Sequence, residues 1–193
     1  DESAERSEMI KAQVQRETER KKLSRPEFLA SLNVSVSLTP INSSSDPSVY
    51  LRAFELLNKT NQFNTTGKRW LPAEAEQYFA EGGVFYALSV ADRFTSYGLV
   101  GVLCVKHSQI DQFVMSCRVV GLDVELAAVA KLVALMRQTE NAPITALSIE
   151  TDANHLSRSI WTNCGFLLAG DQYVLPTGVA SVPMPAHITF AEA

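Results

Sequence analysis

Three strand-like runs follow one another in the middle of the chain, separated by short connections. They span Val84 to Val90, Leu99 to Lys106 and Gln112 to Cys117. Because connections this short leave no room for a crossover helix, the pattern predicts three antiparallel neighbours in one sheet. The stretch that follows, Val124 to Met136, is apolar on nearly every face, which predicts a helix packed against that sheet.

Further elements flank this centre on both sides. Val34, Val36 and Leu38 alternate with serines, which predicts a half-buried first strand. The other predicted elements are helices at Val49 to Asn58, Pro72 to Ala80 and His155 to Asn163, and strands at Ala146 to Glu150, Leu167 to Leu175 and His187 to Phe190. We therefore expect an α/β (α+β) fold, with a central mixed, mainly antiparallel sheet flanked by helices.

A polar segment precedes this pattern. Ser3 to Lys22 is rich in Glu, Arg, Lys and Gln and has only sparse apolar positions, which predicts a solvated or partner-packed helix. The sequence SRPE, from Ser24 to Glu27, has the capping-box spacing and an early proline, so a short helix is expected after it. Two units are therefore predicted, a polar helical extension over 1–33 and a compact domain over 34–193.

Composition narrows the classes of protein that this chain can belong to. Its 193 residues, 46% of them hydrophobic, suffice for one substantial core, but no apolar run is long enough to cross a bilayer. A net charge of -4, with Lys and Arg spread thinly, argues against a nucleic-acid partner. The three cysteines have no metal-type spacing and no even count, so we expect no metal site and a cytoplasmic location.

The segment from Phe113 to Glu125 runs from a strand into the start of a helix, with a cysteine and an arginine at the junction. Unpaired N–H groups and the helix dipole favour anions and thiolates at such a position. Cys117 is therefore a candidate acyl-carrying nucleophile, activated by Arg118 and the helix start. The alternative is a core cysteine, because Phe113, Met115 and Cys117 would share one face of the strand.

Three neighbouring polar residues have two interpretations each. Arg118 could hold a phosphate through its fork of donors, or form an ordinary ion pair. Glu125, in the first turn of the helix, is a candidate base or a carboxylate favoured by the dipole. His155 is a candidate base for Cys117, or a capping or solvent-facing histidine.

Two polar loops supply candidate substrate-binding residues. Asn61, Gln62 and Asn64 surround a phenylalanine and suit hydrogen bonding to a polar three-carbon acyl group. A self-bonded loop is the alternative for these amides. Asp92 lies in a turn between strands, where its role is either structural or the orientation of a donor at the site.

From about Val34 onward the order of elements resembles that of the GNAT acyltransferases. In that family the fourth strand leads into a Q/R-x-x-G-x-G/A turn whose backbone amides hold the pyrophosphate of coenzyme A. Arg118 and Gly121 match this turn, whereas Asp123 replaces its last small residue and is expected to repel a pyrophosphate. Asn154 matches an asparagine that these proteins often place near pantetheine, so the resemblance implies that coenzyme A or a pantetheine arm is the ligand.

The end of the chain continues the GNAT resemblance. Gly165 and Phe166 match the GF pair that follows the last helix of the family. Trp161 stands where many members carry a tyrosine as the general acid for the leaving thiolate, and an indole N–H cannot donate a proton in that role. Amine acetylation by the common mechanism is therefore disfavoured.

Three segments, RAFELLNKTNQFNTTGKRW, DRFTSYGLVG and SCRVVGLDVE, resemble the C-terminal half of FkbH-like proteins. These proteins join a HAD-type phosphatase-like domain to a GNAT-like domain. The resemblance implies that a glyceryl unit derived from 1,3-bisphosphoglycerate is loaded onto the phosphopantetheine of an acyl carrier protein for polyketide biosynthesis. It also implies two partners, the carrier protein and an upstream phosphatase-like domain, and no tightly bound cofactor.

The phosphatase half of such a protein needs an early DxDxT-like loop, and 1–193 contains none. Either the chain is an excised domain, in which case residues 1–22 resemble the tail of that half, or the protein keeps only the acyl-transfer part. Three functions remain open: a glyceryl or related acyltransferase domain, an acetyl-CoA-dependent N-acetyltransferase, and a non-catalytic module that docks a carrier protein.

Overall fold

The computed structural model describes residues 2–44, 47–139 and 141–191. Its centre is an antiparallel meander of three strands, β2 (Gly83–Ala91), β3 (Ser96–Lys106) and β4 (Gln109–Met115). The neighbouring strand β1 (Val34–Ile41) pairs antiparallel with β2 and parallel with β8 (Ile188–Phe190). The predicted antiparallel centre is therefore confirmed.

The other side of the sheet begins at β5 (Ile144–Ala146), which runs parallel to β4. A hairpin of β6 (Leu167–Ala169) and β7 (Gln172–Leu175) completes it, with β7 antiparallel to β5. The eight strands have the order β6-β7-β5-β4-β3-β2-β1-β8. One predicted strand over Leu167 to Leu175 is thus two, because the chain reverses at Gly170, whose φ of 69° suits a tight turn.

Six helices flank the sheet in the described part of the chain. They are α1 (Glu2–Arg20), α2 (Arg25–Ser31), α3 (Pro47–Lys59), α4 (Pro72–Ala80), α5 (Val124–Thr139) and α6 (Ile160–Asn163). The helix predicted over His155 to Asn163 is a 3-10 turn at His155–Ser157 followed by the short α6. None of these helices is both long and apolar enough to cross a membrane.

Helices cover both faces of the sheet. Alternate side chains of the central strands point in opposite directions, so they enter two separate hydrophobic clusters. Phe85 and Val102 lie in a cluster with residues of α3 and α4. Leu88 and Leu103 lie in a larger cluster that includes residues of α2 and α5. The mixed α/β class, with a mainly antiparallel sheet flanked by helices, is thereby confirmed, and the element order is that implied by the GNAT resemblance.

Strands β4 and β5 separate after two residue pairs, Gln109 with Thr145 and Ile110 with Ala146. The backbone of 63–65 fills the gap beyond them. Thr65 N donates to Phe113 O at 3.0 Å, and Met115 N donates to Phe63 O at 3.0 Å. We call residues 62–66 the inserted segment.

The inserted segment also bonds to the chain that follows β5. Ile149 N donates to Thr65 O at 2.8 Å, and Leu156 N donates to Gln62 O at 3.2 Å. Backbone groups that would otherwise be left unpaired where β4 and β5 diverge are therefore satisfied by the loop that connects α3 to α4.

Candidate functional site

Cys117 lies just past the end of β4, at the first position of a 3-10 turn, Cys117–Val119. The chain leaves the strand at Ser116, whose N–H donates to Val100 O at 2.7 Å. Phe113 and Met115 point into the core, but Cys117 is exposed. The expectation that these three side chains share one strand face is therefore wrong, and so is the core alternative for this cysteine.

The Cys117 side chain lines a cavity of about 650 Å³, which we call the arginine cavity. Its walls come from α1, from α2, from the turn that leads into β3 and from residues 117–122. The sulfur atom is thus reachable from solvent and stands beside a space large enough for a small-molecule ligand.

The other two thiols differ from Cys117 in accessibility. Burial raises the pKa of Cys104 well above its ordinary value. Burial, with a smaller contribution from the charge of Glu125, raises the pKa of Cys164 to about 12. Because the thiolate is the reactive form, both should be chemically inert at neutral pH.

Four arginines line the arginine cavity among the described residues: Arg16, Arg20, Arg25 and Arg118. Glu17 is the one carboxylate among these lining residues. This wall is basic although the chain as a whole carries a net charge of -4. An anionic ligand is therefore favoured over a neutral or cationic one.

Asp92 holds two of the lining side chains in place. Its own side chain is fully buried, and its Oδ2 accepts from Arg16 at 3.0 Å and from the Tyr97 hydroxyl at 2.8 Å. Its Oδ1 accepts from the backbone N–H groups of Phe94 and Thr95 at 2.9 and 3.0 Å. Asp92 therefore lies behind the cavity and orients donors that face it.

The turn between Arg118 and Asp123 uses most of its backbone donors internally. Val120 N donates to Cys117 O and Leu122 N to Val119 O, both at 3.3 Å. Arg118 N donates to the Ser116 hydroxyl at 3.4 Å. The turn therefore offers few open N–H groups to a pyrophosphate, in contrast to what the GNAT resemblance implies for it.

Asp123 does not stand unpaired at this turn. It adopts a φ of 62°, and its carboxylate accepts from Arg25 at 2.8 Å. Arg25 also donates to Gly121 O at 3.4 Å, which ties α2 to the turn. The repulsion expected between Asp123 and a phosphate is consequently offset by the positive charge of Arg25, which lies outside the turn motif.

Glu125 lies in the first turn of α5, but its carboxyl group does not line the arginine cavity. Burial raises its pKa, and the nearby Asp123 charge raises it further. Its Oε2 has no hydrogen-bond partner in the described part of the structure. Desolvation therefore outweighs the favourable helix dipole at this position.

Two of the predicted binding amides are buried inside the protein. The Oδ1 of Asn64 accepts from Gly67 N and from Gln112 Nε2, each at 2.8 Å. The Nδ2 of Asn154 donates to Asn64 O and to Ile149 O, each at 2.8 Å. Their hydrogen bonds go to the protein's own chain, which for Asn64 is the self-bonded alternative, and they stabilise the inserted segment.

The remaining predicted residues lie at the surface. Asn61 accepts a hydrogen bond from Arg69, and Gln62 is exposed beside it. His155 is exposed at the start of its 3-10 turn. None of the three lines the arginine cavity, so the structure does not bring His155 together with Cys117 there.

The lining residues that were not among the predicted site residues include Arg16, Arg20, Arg25 and Tyr97. A signal existed only for Arg25, which follows the capping serine and so begins a helix beside the site. Arg16 and Arg20 lie four residues apart and therefore face the same side of α1. That spacing alone did not distinguish them from an ordinary solvated helix.

Comparison of the sequence with known proteins does not assign the chain to a family. No family model matches the chain, and no curated protein matches it. Among solved structures, a domain from Methanocaldococcus jannaschii aligns over 73% of this chain and 96% of its own, at 13% identity and a TM-score of 0.53. This likeness shows a shared fold.

A second solved structure is a GNAT superfamily phosphinothricin acetyltransferase from Sinorhizobium meliloti in complex with acetyl-CoA. It aligns over 77% of this chain and 94% of its own, at 14% identity and a TM-score of 0.45.

Within the described residues, no group of three or more His, Cys, Asp or Glu side chains is placed to hold a metal ion.

Proposed function

We propose that this chain is an acyltransferase domain that carries a glyceryl or related acyl group on Cys117 and passes it to the phosphopantetheine of an acyl carrier protein. The observation that supports it most directly is the exposed Cys117 thiol at the wall of the arginine cavity. The proposal extends the FkbH-like resemblance, with an upstream phosphatase-like domain as the source of the dephosphorylated acyl unit.

The chemistry proceeds in two balanced steps. The Cys117 thiolate attacks the carbonyl carbon of an acyl phosphate or thioester and forms an S–C bond, while the donor's C–O or C–S bond breaks. Phosphate or a thiolate leaves, and the thiolate takes up the proton that the Cys117 thiol has released. The pantetheine thiolate then attacks the Cys117 thioester, and the cysteine sulfur leaves and takes up the proton that the pantetheine thiol has released. Arg118 supports the first step, because its positive charge adjoins the sulfur and the departing anion.

The test is intact-mass measurement after incubation of the chain with a glyceryl donor and a holo carrier protein. We expect a thioester adduct on the native chain, no adduct on Cys117→Ala, and an unchanged adduct on the matched control Cys164→Ala, whose sulfur is buried. An adduct that persists in Cys117→Ala would refute the nucleophile. Transfer to the carrier without any enzyme adduct would refute the two-step route.

Acetyl-CoA-dependent N-acetyl transfer is the second candidate. The Arg25–Asp123 ion pair favours it, because it removes part of the electrostatic objection at the predicted pyrophosphate turn. Calorimetry with coenzyme A separates the two: micromolar binding together with acetylation of an amine would select this candidate. Binding of the holo carrier without turnover, unchanged in Cys117→Ala, would select a docking module instead.

A further inference from the structure

We infer that the arginine cavity binds a phosphate ester, with Arg20 and Arg118 as the donors and with α1 as an integral wall of the site. Helix α1 lies within the polar extension that the sequence predicts over 1–33. Only the source of the phosphate, either a phosphopantetheine arm or a small phosphorylated acid, rests on the proposed function.

The four guanidinium groups of the arginine cavity differ in whether a carboxylate pairs with them. Arg16 and Arg25 are each paired with an aspartate, Asp92 and Asp123, at 3.0 and 2.8 Å. Neither Arg20 nor Arg118 has a carboxylate partner in the described part of the chain. Two arginines are thus held in fixed positions, while two keep their donors for a ligand.

Arg118 uses few of its donors within the described part of the protein. Its hydrogen bonds use Nε and the backbone N–H, both directed to the Ser116 hydroxyl. Among the described residues the two terminal nitrogens have no hydrogen-bond partner, so they are available for bidentate bonds to phosphate oxygens.

The positive charge of Arg118 lies next to Cys117 in the chain. Both side chains line the same cavity. A phosphate held by Arg118 and Arg20 would place the rest of its molecule along the wall that carries the thiol. This geometry suits a ligand with a phosphate at one end and a thiol or carboxyl group at the other.

The test is calorimetry with two matched pairs of ligands that differ only in the phosphate. The pairs are 4′-phosphopantetheine with pantetheine, and 3-phosphoglycerate with glycerate. We expect the phosphorylated member of at least one pair to bind about tenfold or more tightly than its partner. The pair that shows the difference identifies the source of the phosphate.

Variants locate the effect. Arg20→Gln with Arg118→Gln should abolish the preference for the phosphorylated ligand, whereas Arg158→Gln, which removes one exposed charge outside the cavity, should keep it. Equal affinities within both pairs, or the same loss in Arg158→Gln, would overturn the inference. Binding is also measured on Cys117→Ala, where the preference should persist, so a failure of acyl transfer and a failure of phosphate binding are distinguishable.

Discussion

Cys117 is exposed, unlike the other two cysteines, because the chain leaves β4 at Ser116. If the strand ran two residues further, alternation would direct the sulfur into the core with Phe113 and Met115. Instead the 3-10 turn exposes it, whereas Cys104 and Cys164 stay buried. Reactivity at this residue is therefore decided by where one strand ends.

Alkylation tests this difference. Under native conditions and brief exposure to iodoacetamide, we expect one thiol per chain to react, with peptide mass spectrometry placing the label on Cys117. The reason is accessibility, together with the burial that raises the pKa values of Cys104 and Cys164. Cys117→Ser should take up no label under the same conditions, and all three thiols should react after unfolding. Rapid labelling of Cys164 in the folded protein would contradict the burial described here.

For individual polar residues, the sequence predicted some positions of the candidate site but not the burial of their side chains. It identified Cys117, Arg118 and Gly121, because an arginine and a glycine at fixed spacing after a strand form a recognisable local pattern. It could not separate Asn61 from Asn64, although one lies at the surface and the other is fully buried. The burial of an amide depends on what covers it, and Gln112 lies 48 residues away from Asn64.

At the scale of elements, the start of α5 brings a carboxylic acid into the interior. Glu125 lies in the first turn, where the helix dipole favours its charged form, yet burial raises its pKa above the ordinary 4.5. A carboxyl group whose pKa is higher in the folded state binds its proton more tightly there than in the unfolded chain. Ionisation of Glu125 therefore disfavours the folded state.

The sign of this effect gives a pH prediction for Glu125→Gln. At pH 4, where both folded and unfolded states are largely protonated, the variant and the native chain should melt at similar temperatures. As the pH rises past about 4.5 toward the raised folded pKa, the native chain should lose stability relative to the variant. At pH 8 we expect the variant to melt at the higher temperature. The measurement is thermal unfolding by circular dichroism from pH 4 to 8, and a variant that is less stable at pH 8 would contradict the burial argument.

The inserted segment illustrates what element-level prediction missed. Four of its five residues are polar and the segment follows a helix, so the sequence indicates a surface loop. In the structure Asn64, Thr65 and Thr66 are buried, since they replace a strand where β4 and β5 diverge. No local pattern encodes that divergence, because it depends on the pairing of two strands that are distant in the chain.

At the scale of the whole molecule, α1 is joined to the sheet through buried charge. Arg16 pairs with Asp92, whose side chain is fully buried, and Arg93 forms an ion pair with Glu19. Ala12 lies one turn before Arg16 on the same face of α1, and it is buried, with an exposed fraction of 5%. The first helix therefore forms one wall of the arginine cavity, while the division between 1–33 and 34–193 stays a prediction.

Removing the Arg16 charge tests this attachment. Arg16→Gln should lower the free energy of unfolding by about 1–3 kcal/mol, because it weakens the pairing of a buried carboxylate. Hydrogen exchange in α1 should accelerate in the same variant. Urea unfolding provides the measurement, and Arg20→Gln is the matched control, with an expected change below about 0.5 kcal/mol since Arg20 has no ion pair among the described residues. Equal effects of the two substitutions would refute a specific role for the Arg16–Asp92 pair.

The sequence by itself determined the order of helices and strands, the antiparallel centre of the sheet and the junction that carries Cys117. These features follow from periodicity and turn chemistry within short windows, where each residue's neighbours are known. Only the tertiary structure decided that Arg16 meets Asp92 across 76 positions, and Arg25 meets Asp123 across 98. Polar contacts of this kind arise after the apolar faces have packed, because that packing brings distant segments within hydrogen-bond distance.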